Sequence, residues 1–476
     1  MSTQRVLVVG TTSDYIDIIR HKYPSKSLLF ITSPAIRDKA TEEKPEPDEE
    51  LLCELDVAYD HLETVIILIR QHLESYNISL KGIVCFDCES MPLAANIAAA
   101  FCLPYPSIEA VMACRDKSIT RKLWHANQVP CPQYARVSSA AQAVDFFENL
   151  SDETSICVLK PVDSSGSERV FKCSTAKECE TAYNIICKPQ ESPDIIIETY
   201  VEGTEYSCDF IIDDTACLRH TDNITQKVYE SQVIPIRLTR KIPAPIPIFG
   251  TIMAYEIVDF LSENENCSQN VFPASCFSSS SENFSINDLL PILAKAAKSL
   301  GITRSICMVD FIVKDTLLKE GVIQNGNTKS NNPQNHGESY DSIALLEMAP
   351  RPGGDCLPWL IQRSMNIDIL KLTLDFACKQ KSIFNNDIHK QPCNLVGLRI
   401  HANKAGILKS IDISMVKSDS RVREIFIKRK PGDQIILPPQ NYDSWNMGHI
   451  IFEPYEDTPC KDQCMELLSI LKIKIV

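Results

Sequence analysis

Three short stretches of the chain carry residue types that could do chemistry together. In Lys160-Pro161-Val162-Asp163-Ser164-Ser165-Gly166-Ser167-Glu168-Arg169 a lysine precedes a run of small and hydroxyl residues. Small residues let backbone N–H groups approach an anion, hydroxyls add donors, and Lys160 supplies a point charge for phosphate oxygens. The same stretch also reads as an ordinary hairpin, since no Gly-Lys-Ser/Thr follows it and the chain holds no Gly-x-Gly-x-x-Gly. In the second stretch, Glu198 ends one strand-like run, the chain turns at Gly203, and Glu205 opens the next run. Such a crossing can present backbone groups to a purine edge and a carboxylate to ribose hydroxyls; a solvated acidic turn is the alternative. The third stretch pairs Asp310, within a strand-like run, with Glu347 at the end of another. Two carboxylates on neighbouring strand ends suit a hard cation such as Mg²⁺ bridging phosphates. Arg351, beside Gly353-Gly354, offers a planar fork for a phosphoryl group or a carboxylate. A buried Glu347–Arg351 ion pair is the structural alternative. Arg237, Arg240 and Lys241 lie in a proline-rich stretch that reads as a solvated loop, with capture of a substrate carboxylate as the other reading.

The order of these pieces is more specific than any one of them. Asp116-Lys117 opens a helix, Val129-Pro130-Cys131-Pro132 follows it, then come Lys160 and its loop, Glu198 to Glu205, Asp310, and Glu347 to Gly354. In that order and spacing the chain resembles the ATP-grasp superfamily, and within it the carboxylate–amine ligases of the carnosine synthase and L-amino acid ligase kind. The resemblance implies that Lys117 and Lys160 hold nucleotide phosphates and that Ser164, Ser165, Gly166 and Ser167 form the loop over them. It places Glu198 and Val201 at the hinge that meets adenine and Glu205 at the ribose. It makes Asp310 and Glu347 the metal ligands, and Arg351 the residue that stabilises phosphoryl transfer and contacts substrate. ATP and Mg²⁺ are the implied cofactors, with Mn²⁺ as a substitute. The implied substrates are a small-molecule carboxylate and an amine, amino acids by the habit of the family, joined through an acylphosphate with release of ADP and phosphate. A homodimer is compatible with the resemblance. There are two departures. Ala349 stands where most such ligases have an asparagine as a further metal ligand, and the run from Asp310 to Glu347 is unusually long. Some purine-pathway carboxylases of the superfamily read Ala-Pro-Arg as here. An ATP-dependent carboxylase acting through carboxyphosphate is therefore one alternative. A nucleotide-binding regulatory protein without turnover is another.

The elements that must position these residues follow from patterning. Short β-rich runs at Arg5–Val9, Leu28–Ile31 and Gly82–Phe86 alternate with helix-period segments at about 51–76 and Pro92–Cys102. That alternation argues a parallel doubly wound sheet whose carboxyl-end residues, Gly10 and Asp87 to Glu89, point toward a site. The fold class is α/β: an N-terminal doubly wound domain over residues 1–112, an ATP-grasp small lobe over 113–192, a large lobe with the metal site over 193–388, and a small C-terminal β-rich subdomain over 389–476. Ser/Asn-rich stretches at 262–270, 278–281 and 321–342 read as surface insertions.

Composition sets the outer bounds. The chain has 476 residues, 44% hydrophobic and 23% charged, which excludes a disordered chain, a collagen and a bare coiled coil. A net charge of −14 repels phosphate backbones, so nucleic acid is not an expected partner. No apolar run approaches a membrane span, and Val6–Val9 is too short for a secretory signal. The 20 cysteines are therefore expected as reduced, mostly buried thiols in a cytoplasmic protein, without zinc-finger spacing.

Overall fold

Val6 and Val8 alternate with Leu7 and Val9, and each pair joins a different apolar cluster, as a strand buried on both faces requires. The computed structural model places this strand, Thr3–Val9, in a four-stranded parallel sheet in the order Glu50–Leu52, Leu28–Thr32, Thr3–Val9, Ile78–Cys85. The structure describes residues 2–54, 61–150, 156–164, 166, 168–187, 194–214, 232–245, 249–259, 286–314, 342–378 and 393–476. The helix expected from about residue 51 begins at Leu62. The apolar residues before it form the edge strand Glu50–Leu52, which a short apolar run cannot distinguish from helix by period alone.

The next unit is a four-stranded antiparallel sheet in the order Tyr134–Val137, Ile195–Thr199, Cys157–Pro161, Phe171–Cys173. Helices Ala140–Glu148 and Ala176–Ile186 supply residues to its apolar core. The strand expected from Arg169 starts at Phe171, because Arg169 takes a left-handed turn conformation with φ of 55°.

Eight antiparallel strands form the third unit, in the order Ile343–Ala349, Arg304–Lys314, Gly203–Asp213, Gln232–Pro243, Ile252–Ile257, Val396–His401, Asn446–Phe452, Val422–Ile427. The stretch holding Arg237, Arg240 and Lys241, read from sequence as a solvated loop, is an interior strand of this sheet. Its proline is tolerated because Pro235 sits where the register shifts against the neighbouring strand. The last three strands come from the C-terminal part of the chain, which also forms a three-stranded sheet, a helix over Cys460–Ile470 and its own apolar cluster. A single buried cluster runs from Val8 and Phe30 of the first unit to Phe210, Leu293 and Ile361 of the third, so these two units share a core. The Ser/Asn-rich stretches lie outside the described residues, apart from Ser342. Among the described residues no helix is long and apolar enough to cross a membrane.

Candidate active site

The small lobe offers two lysines. Asp116 caps the helix Lys117–Ala126 by accepting from the N–H groups of Ser118 at 2.8 Å and Ile119 at 3.1 Å, which fixes Lys117 as the first helical residue. The Lys117 N–H donates to the Val162 carbonyl at 2.9 Å and its Nζ donates to the Ser164 carbonyl, so the helix start is tied to the Ser/Gly loop. Burial pulls Lys117 below the usual lysine range, and Glu347 opposes that pull. Lys160 projects from the strand face opposite Cys157 and Leu159. Its Nζ lies 2.5 Å from Glu198, whose other oxygen is 2.7 Å from Arg121 Nε. Burial would raise Glu198; Arg121 and Lys160 outweigh it and hold the carboxyl below its usual range. Both oxygens of Glu198 are therefore engaged by cations, and its side chain is 3% exposed. Val201 lies in the connection from the strand Ile195–Thr199 to the strand Gly203–Asp213. Ser164 and Gly166 line the cleft. Ser165 and Ser167 lie outside the described residues. Gly166 adopts φ of 61° with nothing within 4 Å of where a Cβ would stand, so it is an open loop apex.

The large lobe brings Asp310 opposite Glu347 in antiparallel register, with a shift just after Asp310. Lys241 stands beside them, donating to Asp310 Oδ2 at 2.5 Å and to Glu205 Oε1 at 2.7 Å. Burial lifts Asp310 to about 6 against the pull of Lys241. Its Oδ1 is buried without a hydrogen-bond partner among the described residues. Burial also favours neutral Glu347, but Lys117, Lys241, Lys160 and Arg351 together hold it below the usual carboxylate range. The sequence offers Lys241 as part of a solvated loop or for capture of a substrate carboxylate, not beside the acidic pair. The available signal was the alternation of Arg237, Thr239 and Lys241 with Ile236, Leu238 and Ile242, which is strand period with a polar face.

Arg351 follows the strand end. Its Nε and Nη2 reach the Cys88 sulfur at 3.1 and 2.7 Å, and Nη1 donates to the Pro352 carbonyl at 2.7 Å. No ion pair joins it to Glu347 among the described residues, so the structural alternative for that pair is not realised. The turn after it is fixed from below. Asp209 accepts from the Gly353 N–H at 2.7 Å and pairs with Arg237 at 2.6 Å, and both charged side chains are 0% exposed. A Cβ on Gly353 would lie 2.6 Å from Leu357 Cδ1 and 3.3 Å from the Arg237 and Asp209 side chains, so a larger residue there would have to displace Leu357.

Part of this set lines one cleft of about 360 Å³; Lys160, Glu198, Val201 and Glu205 are not among its lining residues. Lys117, Asp310, Glu347 and Arg351 line it together with an aromatic wall of Tyr15, Trp359, Phe426 and His449. Asp87, at the carboxyl edge of the parallel sheet, also lines the cleft and accepts from the backbone N–H groups of Thr11 and Ser90 at 2.5 and 2.6 Å.

Residues 114–244 match the ATP-grasp domain family. The chain carries an ATP-grasp domain. A D-alanine–D-alanine ligase of Acidovorax ebreus (strain TPSY) is 28% identical over 108 residues, which are 22% of this chain and 31% of that relative. The match thus spans about a third of the relative's length. Among solved structures, an L-amino acid ligase from Bacillus licheniformis superposes with a TM-score of 0.69 at 17% identity, covering 100% of both chains. The biotin carboxylase domain of a 2-oxoglutarate carboxylase from Hydrogenobacter thermophilus, in complex with MgADP and bicarbonate, gives 0.58 at 13% identity, covering 100% of this chain and 92% of that one. At these identities the structural likeness concerns the fold: an N-terminal parallel domain followed by antiparallel ATP-grasp sheets.

Proposed function

We propose that this chain is an ATP-dependent carboxylate–amine ligase that forms an amide or peptide bond through an acylphosphate. The observation that carries the reading is a single cleft lined by Lys117, an acidic pair (Asp310, Glu347) and Arg351, continuous with an aromatic wall, with Lys160 close enough for its charge to act on Glu347. Bicarbonate would need no such wall. An organic substrate with an apolar side chain would.

Mg²⁺ fits the acidic pair, because Asp310 Oδ1 is a buried carboxylate oxygen with no partner among the described residues and Glu347 stands in register opposite it. When bound there it would offset phosphate charge as the γ-phosphoryl group transfers. The protein's own groups do the rest. Lys117 and Lys160 draw the phosphates to the small lobe. Glu198 holds Lys160 in place, and Lys241 holds Asp310 and Glu205. A substrate carboxylate oxygen bonds to the γ-phosphorus as the bond to the bridging oxygen breaks, and ADP leaves. The amine nitrogen then bonds to the acyl carbon and loses a proton, and phosphate leaves with the electrons of the broken C–O bond. Arg351 stabilises charge on the equatorial oxygens and fixes the acyl oxygen. Positioning and charge account for such a reaction without a protein nucleophile. A cytoplasmic location is part of the proposal, supported by free thiols at every described cysteine.

The carboxylase reading is favoured by one observation, Ala349-Pro350-Arg351 at the strand end. ADP release measured with pooled amino acids, and separately with bicarbonate and no amine, tests the choice. Turnover with amino-acid pools supports the ligase. Turnover with bicarbonate alone overturns it.

A further inference from the structure

Cys157 and Cys173 face each other across an antiparallel strand pair, and Cys179 reaches them from the helix Ala176–Ile186. The three sulfurs lie within 4.8 Å of one another, with Cys157 and Cys179 3.4 Å apart, and the residues are 0%, 1% and 0% exposed. We propose that they form a three-thiolate site for a soft monovalent cation of the Cu(I) class, on the face of the small-lobe sheet opposite Lys160.

The geometry fits before any metal arrives. A cation ~2.3 Å from each of three thiolates spaces the sulfurs ~4.0 Å apart. The Cys157–Cys179 separation is 3.4 Å and none of the three exceeds 4.8 Å, so small side-chain shifts reach that value. A disulfide needs about 2.05 Å and would leave one thiol over. The donor set selects the cation. Hard cations take oxygen ligands and structural zinc takes four donors, whereas among the described residues this group offers three sulfurs only. Leu159, Ile197, Ala182 and Ile186 share the same buried cluster and give a ligand water nothing to bond. Soft sulfur donors in low coordination suit Cu(I). Cys179 lies early in a helix capped by Thr175, where a thiolate is favoured. Binding releases the thiol protons to solvent. Access is through the three-residue edge strand Phe171–Cys173, whose single neighbour in the sheet is the strand of Cys157.

The test uses the reduced full chain with Cys102 and Cys393, the two cysteines exposed among the described residues, changed to serine, titrated with Cu(I) without oxygen against a chromophoric Cu(I) chelator. One equivalent should be withdrawn from the chelator. Cys157→Ala, Cys173→Ala and Cys179→Ala should each weaken that affinity by at least about 10–100-fold, the loss that even an outer-shell change produces. Cys460→Ala should not. X-ray absorption of the Cu(I)-loaded protein, which needs no variant to fold, should give three sulfur neighbours. Failure to withdraw Cu(I), equal affinity in the Cys179→Ala protein, or two-sulfur coordination would each overturn the site.

Discussion

At Glu347 the combined field of Lys117, Lys241, Lys160 and Arg351 outweighs the cost of burial, so the carboxylate stays ionised in the cleft. Glu347→Gln keeps the shape and removes the charge. It should lower ATP turnover by at least about 10²-fold, because the proposed catalytic cation would lose a ligand. Nucleotide affinity should stay within about tenfold, since Lys117 and Lys160, the proposed phosphate-binding cations, are untouched. Near-normal turnover, measured by ADP release, would remove Glu347 from the metal site. Arg351 makes a different demand. Its planar fork spans two directions at once, toward Cys88 and toward Pro352, and a lysine point charge cannot copy it. Arg351→Lys should cost about 10²-fold in rate, near 3 kcal/mol of transition-state stabilisation. In the wild-type protein an ¹⁸O-labelled carboxylate should pass label to the released phosphate. Label retained wholly in the organic product while ADP forms would exclude the acylphosphate.

The Ser/Gly loop is anchored at both sides and open at its apex. Lys117 holds the Ser164 carbonyl, the Arg169 N–H donates to the Tyr442 hydroxyl at 3.2 Å, and Gly166 between them touches nothing within 4 Å of its Cβ position. Such an element belongs to the low-stability end of the fold until a ligand fills it. Hydrogen exchange across residues 163–170 should slow when ATP and Mg²⁺ are added, and equal protection in both states would contradict a lid role. The strand Gln232–Pro243 shows why some elements were legible and others not. Strands such as Met308–Val313 were legible because an apolar run broken only by Asp310 reveals them. Gln232–Pro243 carries arginines, a lysine and two prolines, so its composition suggests a loop while its alternation is that of a strand. What overrides composition is a tertiary pairing that sequence spacing cannot reveal, the buried Asp209–Arg237 pair that also holds Gly353. Arg237→Met should therefore destabilise the protein by about 3–5 kcal/mol, because Asp209 is left buried and unpaired. Adding Asp209→Asn should recover part of that loss in urea unfolding. Strictly additive losses would mean the pair does not act as a unit.

Across the whole molecule, three units meet at one cleft, and the contacts that join them were out of reach of sequence patterning. The order of motifs along the chain pointed to the lysines, the carboxylates and Arg351, because most of them sit near a strand or helix end and Asp310 interrupts an apolar strand. Cys88 against Arg351, Tyr15 against the Asp355 carbonyl at 3.2 Å, and Lys22 against Asp368 at 2.7 Å bind the N-terminal domain to the large lobe across hundreds of residues, where no local signal exists. The C-terminal part adds His449, 2% exposed, packed against Trp359 and Phe426 with ring centroids 4.8 and 5.3 Å away. Burial pushes His449 down to about 4, opposed by Asp355, and its Nε2 has no partner among the described residues. In the unfolded chain the same ring titrates near 6.5. Above about pH 6.5 the ring is neutral in both states and contributes no pH dependence. Between about 6.5 and 4 the unfolded chain binds the proton and the folded chain does not, so stability falls as pH falls. The slope from this one ring approaches about 1.4 kcal/mol per pH unit within that window and ends below it, where both states are protonated. His449→Phe keeps an aromatic ring in the stack and removes the titration. Urea unfolding of the two proteins from about pH 7.5 to about pH 4.5 should give curves that run parallel above 6.5 and diverge below it, the wild type losing stability faster. Curves that stay parallel throughout would mean that His449 is not held neutral, and that this corner of the cleft admits water or a counter-charge to the ring.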